Sequence, residues 1–249
     1  MKETRITMGM PATIEIVDAG ATQESLDMVF DFFNSVDERF SPYKTDSELS
    51  RYNRGEIAEG DLSEQMKYIF VLAEKTKNDT NGYFDMRHNG TCDPSGIVKG
   101  WAIHEGANLL RAKGFQNFYV EIAGDIEVSG HNTDGAPWSI GIRNPFKREE
   151  IVKVVHLSSG GIATSGTAIR GDHIYNPKGD ARPNDIASIT VIGPNVYEAD
   201  RFATPAFAMG GDGIQFIEAL PNSEGYMIDT KGIATMTSGF TKFTRALTF

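Results

Sequence analysis

The hydrophobic residues of this chain change their spacing at Gly114. Before that glycine, apolar residues recur at intervals of three and four over long segments, which is the spacing of amphipathic helices. After it, short runs such as FYVEI, WSIGI and ASITVI follow one another between turns, which is typical of strands. Because a helix-rich first half is followed by short strands joined by turns, we expect an α+β fold whose sheet is mainly antiparallel.

The first half predicts one strand and three long helices. Alternating apolar and polar residues predict a strand from Met8 to Val17, after a flexible Met-Gly-Met. The apolar spacing predicts helices from about Thr22 to Arg39, from Ser63 to about Asn78 and from about Ile97 to Lys113. Glycine or proline follows each helix within a few residues, which is a common way for a helix to end.

A fourth helix, from about Tyr197 to Met209, is expected to interrupt the strands of the second half. Asp200 and Thr204 lie at positions i and i+4 on it, so their oxygen atoms project from one face. A carboxylate with a hydroxyl suits a hard cation such as Mg²⁺. The same pair also fits an ordinary helix, in which the acid favours the first turn and the threonine bonds back to its own helix. Pro205 follows directly and predicts a bend.

The segment from Ser158 to Pro177, SSGGIATSGTAIRGDHIYNP, concentrates small residues around a few chemically active groups. Its paired glycines allow backbone angles closed to other residues, and the run from Thr164 to Thr167 offers hydroxyls and amides that suit a phosphate. His173 follows, just before the apolar pair Ile174-Tyr175. The alternative is purely structural: a strand, a Ser/Thr-rich turn and a second strand with an exposed histidine.

Acidic, aromatic and basic residues cluster before and at the start of the third helix. The YFD turn at 83–85 is followed by the motif DPSGIVKG, from Asp93 to Gly100, which contains a turn and Lys99. An acid, a glycine-containing turn and a lysine at a helix start suit an anion or a metal ion. An ordinary capping turn is the alternative. Tyr43 follows a helix-breaking proline, and its spacing alone favours a turn residue over a ligand contact.

The charge and cysteine content argue against several classes of function. The chain has 24 Lys and Arg against 34 Asp and Glu, and its net charge of −10 disfavours nucleic acids and anionic membranes as partners. An anionic ligand would need local help from a metal ion or from amides. Cys92 is the single cysteine, so neither an intramolecular disulfide nor a cysteine zinc cluster is expected. Since the chain as written has neither an apolar leader nor a bilayer-spanning run, we expect a cytoplasmic protein without a membrane anchor.

Seven marked stretches follow one another from about Met8 to Gly210: MGM, FSPYKTDSELSRYN, YFD, DPSGIVKG, AGD, ATSG with HIYNP, and EADRFATPAFAMG. In that order they resemble the ApbE family, the FAD:protein FMN transferases, and the most specific pieces are DPSGIVKG, the TSG followed by HIYNP, and EADRFAT. The resemblance implies a two-layer α+β fold related to the T-fold. It also implies a single domain over residues 1–249, with the active site in a cleft between a helix-rich N-terminal lobe and a mainly antiparallel C-terminal lobe.

The resemblance further implies a magnesium-dependent reaction in which the FMN half of FAD moves onto a Ser or Thr hydroxyl of an acceptor flavoprotein and AMP is released. Carried over to this sequence, it makes Asp200 and Thr204 metal ligands by their side chains and Gly96 a ligand by its carbonyl oxygen. His173 is the candidate base for the incoming hydroxyl, because an imidazole ordinarily titrates near neutral pH. The implied FAD contacts are Met8, Tyr43, Tyr83, Phe84, Asp85, Asp93, Lys99, Ser165, His173 and Ile174.

The sequence departs from the family pattern at several points. The usual MGT is MGM, the usual GGD is Ala123-Gly124-Asp125, and the Asp-Pro after the histidine is Asn176-Pro177. The segment between YFD and DPSGIVKG is much shorter than usual, which predicts a more open wall on one side of the cleft. Two other functions are compatible with the same residues: a Mg²⁺-dependent FAD diphosphatase giving FMN and AMP, and a protein that binds FAD without turnover.

Overall fold

Both halves of the chain contribute strands to one large sheet. The computed structural model describes residues 1–88, 90–147, 149–166, 176–179 and 185–244. The helices in these ranges are α1 Gln23–Phe40, α2 Glu48–Asn53, α3 Glu64–Asp79, α4 Ser95–Ala112, α5 Val196–Ala208 and α6 Gly213–Glu218, with 3₁₀ turns at Glu59–Asp61, Gly210–Asp212 and Phe240–Phe243. The strands are β1 Lys2–Thr7, β2 Met10–Ile16, β3 Arg87–His88, β4 Thr91–Cys92, β5 Phe118–Ile122, β6 Asp125–Ser129, β7 Trp138–Arg143, β8 Ile151–Leu157, β9 Ser159–Gly166, β10 Ile186–Gly193, β11 Glu224–Asp229 and β12 Ala234–Met236.

The large sheet is antiparallel throughout. Its eight strands lie in the order β1-β2-β5-β6-β9-β10-β11-β12, and every neighbouring pair runs in opposite directions. β3 with β4, and β7 with β8, form separate two-stranded hairpins. The expected α+β class with a mainly antiparallel sheet is therefore confirmed, although β1 and β2 from the first half join the strands of the second half in the same sheet.

The large sheet carries helices on one face and the β7–β8 hairpin on the other. Alternate residues of β6 point to opposite sides. Asp125 and Glu127 contact α4, whereas Ile126 and Val128 share a buried cluster with Trp138 of β7. A second cluster joins α1, α3 and α4 to β2 and β5, and a third joins α5 and α6 to β9 and β10. Burial of these apolar faces is the main favourable term that holds the layers together.

The helices begin and end where capping signals lie in the sequence. Ser63 accepts a hydrogen bond of 3.2 Å from the amide of Met66 at the start of α3, and Asn81 and Gly82 adopt φ angles of 51° and 80° after its end. Gly114, with a φ of 89°, follows the end of α4. The four long helices expected from the sequence are confirmed within a few residues of their ends. No helix in the described ranges is long and apolar enough to cross a bilayer.

Strand β1 and helix α6 were not expected from the sequence. The sequence of β1, KETRIT, contains one large apolar residue, Ile6, which is 72% exposed, so no buried face marks the strand. β1 forms an edge of the sheet and joins β2 through Met8 and Gly9, whose φ angles of 52° and 70° suit a type I′ hairpin turn. The strand expected from Met8 therefore begins at Met10. α6 has 6 residues, too few for a helical period to stand out.

Helices α4 and α5 cross at the two glycines of the DPSGIVKG motif. A Cβ atom at Gly100 would lie 2.5 Å from the Cβ of Asp200 on α5. A Cβ atom at Gly96 would lie 3.0 Å from the ring of Phe84 and 3.6 Å from the methyl group of Thr204. The two glycines share one face of α4 because they lie one turn apart. Their lack of side chains lets the backbones of α4 and α5 approach closely.

Helix α5 continues through Pro205 as far as Ala208. Proline lacks the N–H group that would bond to the carbonyl oxygen one turn earlier. The carbonyl oxygen of Pro205 itself accepts a hydrogen bond of 3.0 Å from the amide of Met209. Helical bonding therefore resumes after the proline, and the bend expected there stays a prediction.

Replacement of Gly100 by alanine is expected to destabilise the fold. The added methyl group would overlap the Cβ of Asp200, so α4 and α5 must move apart, and overpacking of this kind costs about 1–3 kcal/mol. The measurement is the free energy of unfolding in urea at neutral pH. Gly60→Ala is the matched control, because no atom lies within 4 Å of its added methyl group, and it should stabilise by at most about 1 kcal/mol. Equal effects of the two substitutions would contradict the close crossing.

Candidate active site

A cavity of about 850 Å³ is bordered by segments from both halves of the chain. Its described walls come from the segment before α4, from α4 and α5, from the β5–β6 turn, and from β7 and β9. Cavities that bind small molecules typically have volumes of about 300–1,000 Å³. This cavity is therefore large enough for a sizeable ligand.

Nine of the residues expected at the site line this cavity. They are Tyr83, Phe84, Asp85, Asp93, Gly96, Lys99, Ser165, Asp200 and Thr204. The fold thus brings together side chains that lie far apart in the sequence. His173 and Ile174 lie outside the described residues, and the roles expected of them stay predictions.

Met8 and Tyr43 are not among the described residues that line the cavity. Met8 occupies the β1–β2 turn and packs, partly buried, against the cluster that contains α1 and α4. Met10 lines the cavity instead. Tyr43 lies in the connection between α1 and α2 and is 94% exposed, as a turn residue would be. The structure does not bring either side chain to the cavity, and FAD contacts by Met8 and Tyr43 stay predictions.

Asp200 and Thr204 present oxygen atoms to the cavity from α5. Asp200 is 4% exposed, and its Oδ2 accepts a hydrogen bond of 2.8 Å from the amide of Gly100 on α4. The Oγ1 of Thr204 lies 3.3 Å from the Oγ of Ser165 on β9. Gly96 of α4 lies beside the Thr204 methyl group. A carboxylate and a hydroxyl thus share one helix face, with a second hydroxyl and a helix-start glycine next to them.

These oxygen donors have the chemistry of a site for a hard divalent cation. Carboxylate, hydroxyl and carbonyl oxygens are the ligand types that Mg²⁺ prefers, whereas softer metals prefer sulfur and imidazole. The described residues contain no group of three or more His, Cys, Asp or Glu side chains that could hold a metal ion. A cation at Asp200 and Thr204 would therefore have a mixed ligand set, and water or phosphate oxygens would complete its coordination.

Asp125 is a cavity residue that sequence reasoning did not select. It forms an ion pair with Lys99 of α4, and the two side chains are 2% and 13% exposed. Its Oδ1 also accepts a hydrogen bond of 3.1 Å from the amide of Thr164 on β9. The pair holds the lysine ammonium group at the cavity wall, where it can attract a phosphate. The AGD motif was the available signal, because Ala123 and Gly124 form the β5–β6 turn and the acid that follows begins β6 at the cavity.

The Ser/Thr-rich turn of the structural alternative is wrong for its described part, because strand β9 continues through Thr164 as far as Gly166. Phosphate binding by the run from Thr164 to Thr167 stays a prediction. The amide of Thr164 donates to Asp125, and its Oγ1 lies 2.8 Å from the Oγ1 of Thr190 on β10. Both groups of Thr164 are thus used within the protein, because pairing with β10 continues where a turn was expected. Thr167 lies outside the described residues.

Aromatic rings and an acid border the cavity before α4. Phe84 is buried and Tyr83 is partly buried, and the Lys178 ammonium group lies 4.6 Å from the centre of the Tyr83 ring. Aromatic faces of this kind can stack on a planar ring system. Asp93 accepts a hydrogen bond of 2.9 Å from the amide of Ser95. The Asp93 carboxylate thus closes a turn directly before α4, although the N-cap residue, Pro94, makes no side-chain capping bond. Asp93 lines the cavity as well.

Strands β5 and β7 supply a polar wall that the sequence did not indicate. The hydroxyl of Tyr119 donates to Glu121 over 2.7 Å, and the Tyr119 ring lies 5.5 Å from that of Trp138. Burial, assisted by the charge of Glu121, raises the pKa of Tyr119 well above its usual value, so the phenol remains a donor. Arg143 of β7 lines the cavity too. Alternation along a strand does not distinguish a side chain that lines a cavity from one that faces solvent.

Residues 8–91 and 86–227 match a profile of the ApbE family. The chain belongs to the ApbE family. Among relatives named FAD:protein FMN transferase, the ApbE-family protein of Vibrio cholerae is 35% identical over 47% of this chain and 38% of its own length. The protein of Haemophilus influenzae is 26% identical over 98% of this chain and 93% of its own length.

Solved ApbE structures have the same fold as this chain. The flavin transferase ApbE from Vibrio cholerae matches with a TM-score of 0.85 at 24% identity, over 98% of both chains. The ApbE protein from Thermotoga maritima matches with a TM-score of 0.86 at 20% identity, over 98% of this chain and 99% of that chain. The family and fold class expected from the order of the motifs are confirmed.

One ion pair makes part of the stability of this ApbE-family chain depend on pH. The Lys77 Nζ lies 2.7 Å from the Asp85 Oδ2, and the amide of Arg87 donates to the Asp85 Oδ1 over 2.9 Å. Burial alone would raise the pKa of Asp85, but the bonds from Lys77 and Arg87 outweigh it and hold the pKa below its usual value. A carboxyl whose pKa is lower in the folded state contributes stability above its unfolded pKa. That contribution is lost as the pH falls through the folded pKa.

We therefore expect Asp85→Asn to make the free energy of unfolding depend less on pH in acid. The free energy of unfolding of the wild type should fall as the pH decreases from about 5 towards 2. The variant should lose less over that range, because residue 85 no longer takes up a proton on unfolding. Urea unfolding at a series of pH values measures the slope. Asp134→Asn, an exposed aspartate without an ion pair in the described residues, should leave the slope unchanged, and parallel curves for Asp85→Asn and wild type would refute the assignment.

Proposed function

We propose that this protein transfers the FMN half of FAD to a Ser or Thr hydroxyl of an acceptor flavoprotein, in a Mg²⁺-dependent reaction that releases AMP. The observation that carries the proposal is that Asp200, Thr204 and Gly96 meet at one cavity, which Lys99 and Phe84 also line. The relatives named FAD:protein FMN transferase support the same reaction. The cavity volume of about 850 Å³ suits a ligand of this size.

The proposed transfer exchanges one phosphorus–oxygen bond for another. The hydroxyl oxygen of the acceptor attacks the phosphorus atom attached to riboflavin, and the new bond joins FMN to the acceptor. The bond from this phosphorus to the bridging oxygen breaks, and its electron pair leaves with AMP. The hydroxyl proton passes to a base, so the reaction needs neither an oxidant nor a reductant.

In this proposal the residues of α4 and α5 hold the diphosphate. Asp200, Thr204 and the carbonyl oxygen of Gly96 would hold the cation, which when bound neutralises phosphate charge and stabilises the leaving group. Lys99, paired with Asp125, supplies a positive charge at the same wall. The hydrogen bond from the Gly100 amide orients the Asp200 carboxylate before any ligand binds. Groups that are already in place need not reorganise as charge develops in the reaction.

The aromatic and acidic residues before α4 are proposed to bind the ring systems of FAD. Tyr83 and Phe84 border the cavity with their rings, and Asp85 and Asp93 can accept hydrogen bonds from ring or ribose donors. His173 stays our candidate for the base on the chemistry of imidazole alone, since it lies outside the described residues.

Loss of the Asp200 charge is expected to abolish transfer. Asp200→Asn keeps an oxygen that can accept from the Gly100 amide but removes the negative charge, whereas Asp200→Ala removes both. A bound cation contributes several kcal/mol to the transition state, so both variants should lower the transfer rate by at least ~100-fold. FAD affinity should be partly retained. The assay incubates the protein with FAD, MgCl₂ and an acceptor flavoprotein, and it measures AMP release and covalent flavin fluorescence on the denatured acceptor.

Asp212→Asn is the matched control for the Asp200 variants. Asp212 is exposed and is not among the described residues that line the cavity, and the substitution removes the same charge. It should retain the wild-type rate. Release of AMP together with free FMN would identify a diphosphatase, and unchanged FAD on the wild-type protein would identify a carrier. Either outcome would contradict the proposed transfer.

A further inference from the structure

Strand β7 borders the cavity with one of its edges. Every residue of β7 from Ser139 to Arg143 lines the cavity, as do Asn144 and Pro145, which follow the strand. Successive side chains of a strand point to opposite faces, so a cavity that lay against one face would be lined by every second residue. The unbroken run therefore places the backbone edge of β7 at the cavity.

This edge has no strand beside it in the part of the chain that the structure describes, where β7 pairs with β8 alone. The amide of Asn144 donates over 2.8 Å to the carbonyl oxygen of Glu150, just before β8. In an antiparallel pair, alternate residues bond to the same neighbour, so Ile142 also bonds towards β8. Ser139 and Gly141 then direct their N–H and C=O groups to the cavity side. The pairing of β7 with β8 shifts by one residue between Ile142 and Arg143, and the extra residue lies in β8. Successive residues of β7 therefore still alternate in the direction of their backbone hydrogen bonds.

An open strand edge usually carries features that prevent another strand from adding to it. Unpaired N–H and C=O groups can template the addition of a strand, and proteins commonly block them with charged side chains. β1, an edge strand of the large sheet, has the sequence KETRIT and fits that rule. β7 instead has Ser139 and Gly141 at its cavity edge, and its one charged residue, Arg143, lies at the end of the strand. Such an edge suits recognition of an extended peptide by main-chain hydrogen bonds.

We propose that the acceptor protein docks as an extended strand on the cavity edge of β7 and so presents its Ser or Thr hydroxyl to the cavity. This inference rests on the proposed transfer of FMN, which requires a polypeptide segment to reach the same cavity as FAD. Main-chain hydrogen bonds fix the register of the segment. A side chain at a fixed register position then enters the cavity in a defined orientation, as an in-line reaction needs.

The residues beside the edge determine which segment fits. Residues 138–157, which contain β7 and β8, carry four Lys or Arg and two Glu, in a chain whose net charge is −10. Arg143, at the end of β7, is exposed and lines the cavity. Ile151 and Val154 of β8 line it too and are 50% and 42% exposed. The net positive charge of residues 138–157 therefore favours acidic residues in the docked segment, and the exposed side chains of β8 favour an apolar residue close to its Ser or Thr.

The first test uses peptides with blocked backbone amides. Decapeptides with one central Thr and acidic, neutral or basic flanks are incubated with the wild-type protein, FAD and MgCl₂, and mass spectrometry detects attached FMN. The best substrate is then made in two forms. One carries N-methyl groups on its odd-numbered residues, and the other carries them on its even-numbered residues. In a docked strand the backbone amides of every second residue face β7. We therefore expect the form methylated at those residues to lose at least ~10-fold in kcat/KM and the other form to lose much less. We also expect acidic flanks to be preferred, and a preference for basic flanks would overturn the assigned chemistry.

The second test changes the edge of β7 itself. Ser139→Pro removes one edge N–H group without breaking a bond to β8, whereas Ser139→Ala removes the hydroxyl group, which lies 3.0 Å from the Nδ1 of His156. We expect the proline variant to have a KM for the peptide at least ~10-fold above that of the alanine variant, with equal Kd values for FAD. Thermal unfolding checks that both variants fold. If the proline disrupts the hairpin, the two N-methylated peptides decide the question.

Three results would overturn strand docking and leave the proposed transfer intact. They are equal activity on the two N-methylated peptides, modification of a folded flavoprotein but of no extended peptide, and a loss of FAD affinity in Ser139→Pro with an unchanged KM for the peptide. The last result would indicate that FAD, and not the acceptor, binds at this edge of β7. Failure of the wild-type protein to attach FMN to any acceptor would overturn the proposed function itself.

Discussion

The close crossing of α4 and α5 is the constraint on which the site depends. Gly100 has no side chain at the crossing, so its amide can reach the buried carboxylate of Asp200 and donate to it over 2.8 Å. Gly96, one turn earlier, lies beside Thr204 for the same reason. The oxygen donors of α5 and Lys99 of α4 therefore border one cavity in fixed relative positions. A larger residue at either glycine would separate the helix backbones and the donors together.

Buried charges hold α5 in this position. Glu127 of β6 is 0% exposed and accepts hydrogen bonds from Arg111 over 2.7 Å and from the amide of Val196, at the start of α5, over 3.1 Å. The N-terminus of a helix carries a partial positive charge, so a carboxylate there is favourable. Arg201, which is 4% exposed, donates to Asp79 of α3 over 2.8 Å. Because a buried charge is costly unless its partners are in place, these contacts favour one orientation of the helix that carries the cation donors.

The two faces of β6 connect the two parts of the proposed reaction. Asp125 and Glu127 point to the helix side, where they hold Lys99 of α4 and the start of α5. Ile126 and Val128 point to the other side and pack against the β7–β8 hairpin. A single strand thus positions both the groups proposed to bind FAD and the edge proposed to receive the acceptor. Alternation of side chains along a strand is the physical basis of this arrangement.

Apolar spacing in the sequence was enough to predict the long helices, and the order of the motifs was enough to predict the family and nine of the described residues that line the cavity. Both predictions use local information, which is either the spacing of neighbouring residues or the chemistry of individual residue types. Only the tertiary structure decided that Asp125 pairs with Lys99, that Thr164 belongs to a strand, and that Tyr43 stays away from the cavity. It also decided the order of the strands and, among the described residues, the absence of a second neighbour beside β7. These features depend on register and packing between segments far apart in the chain, which no local period of the sequence records.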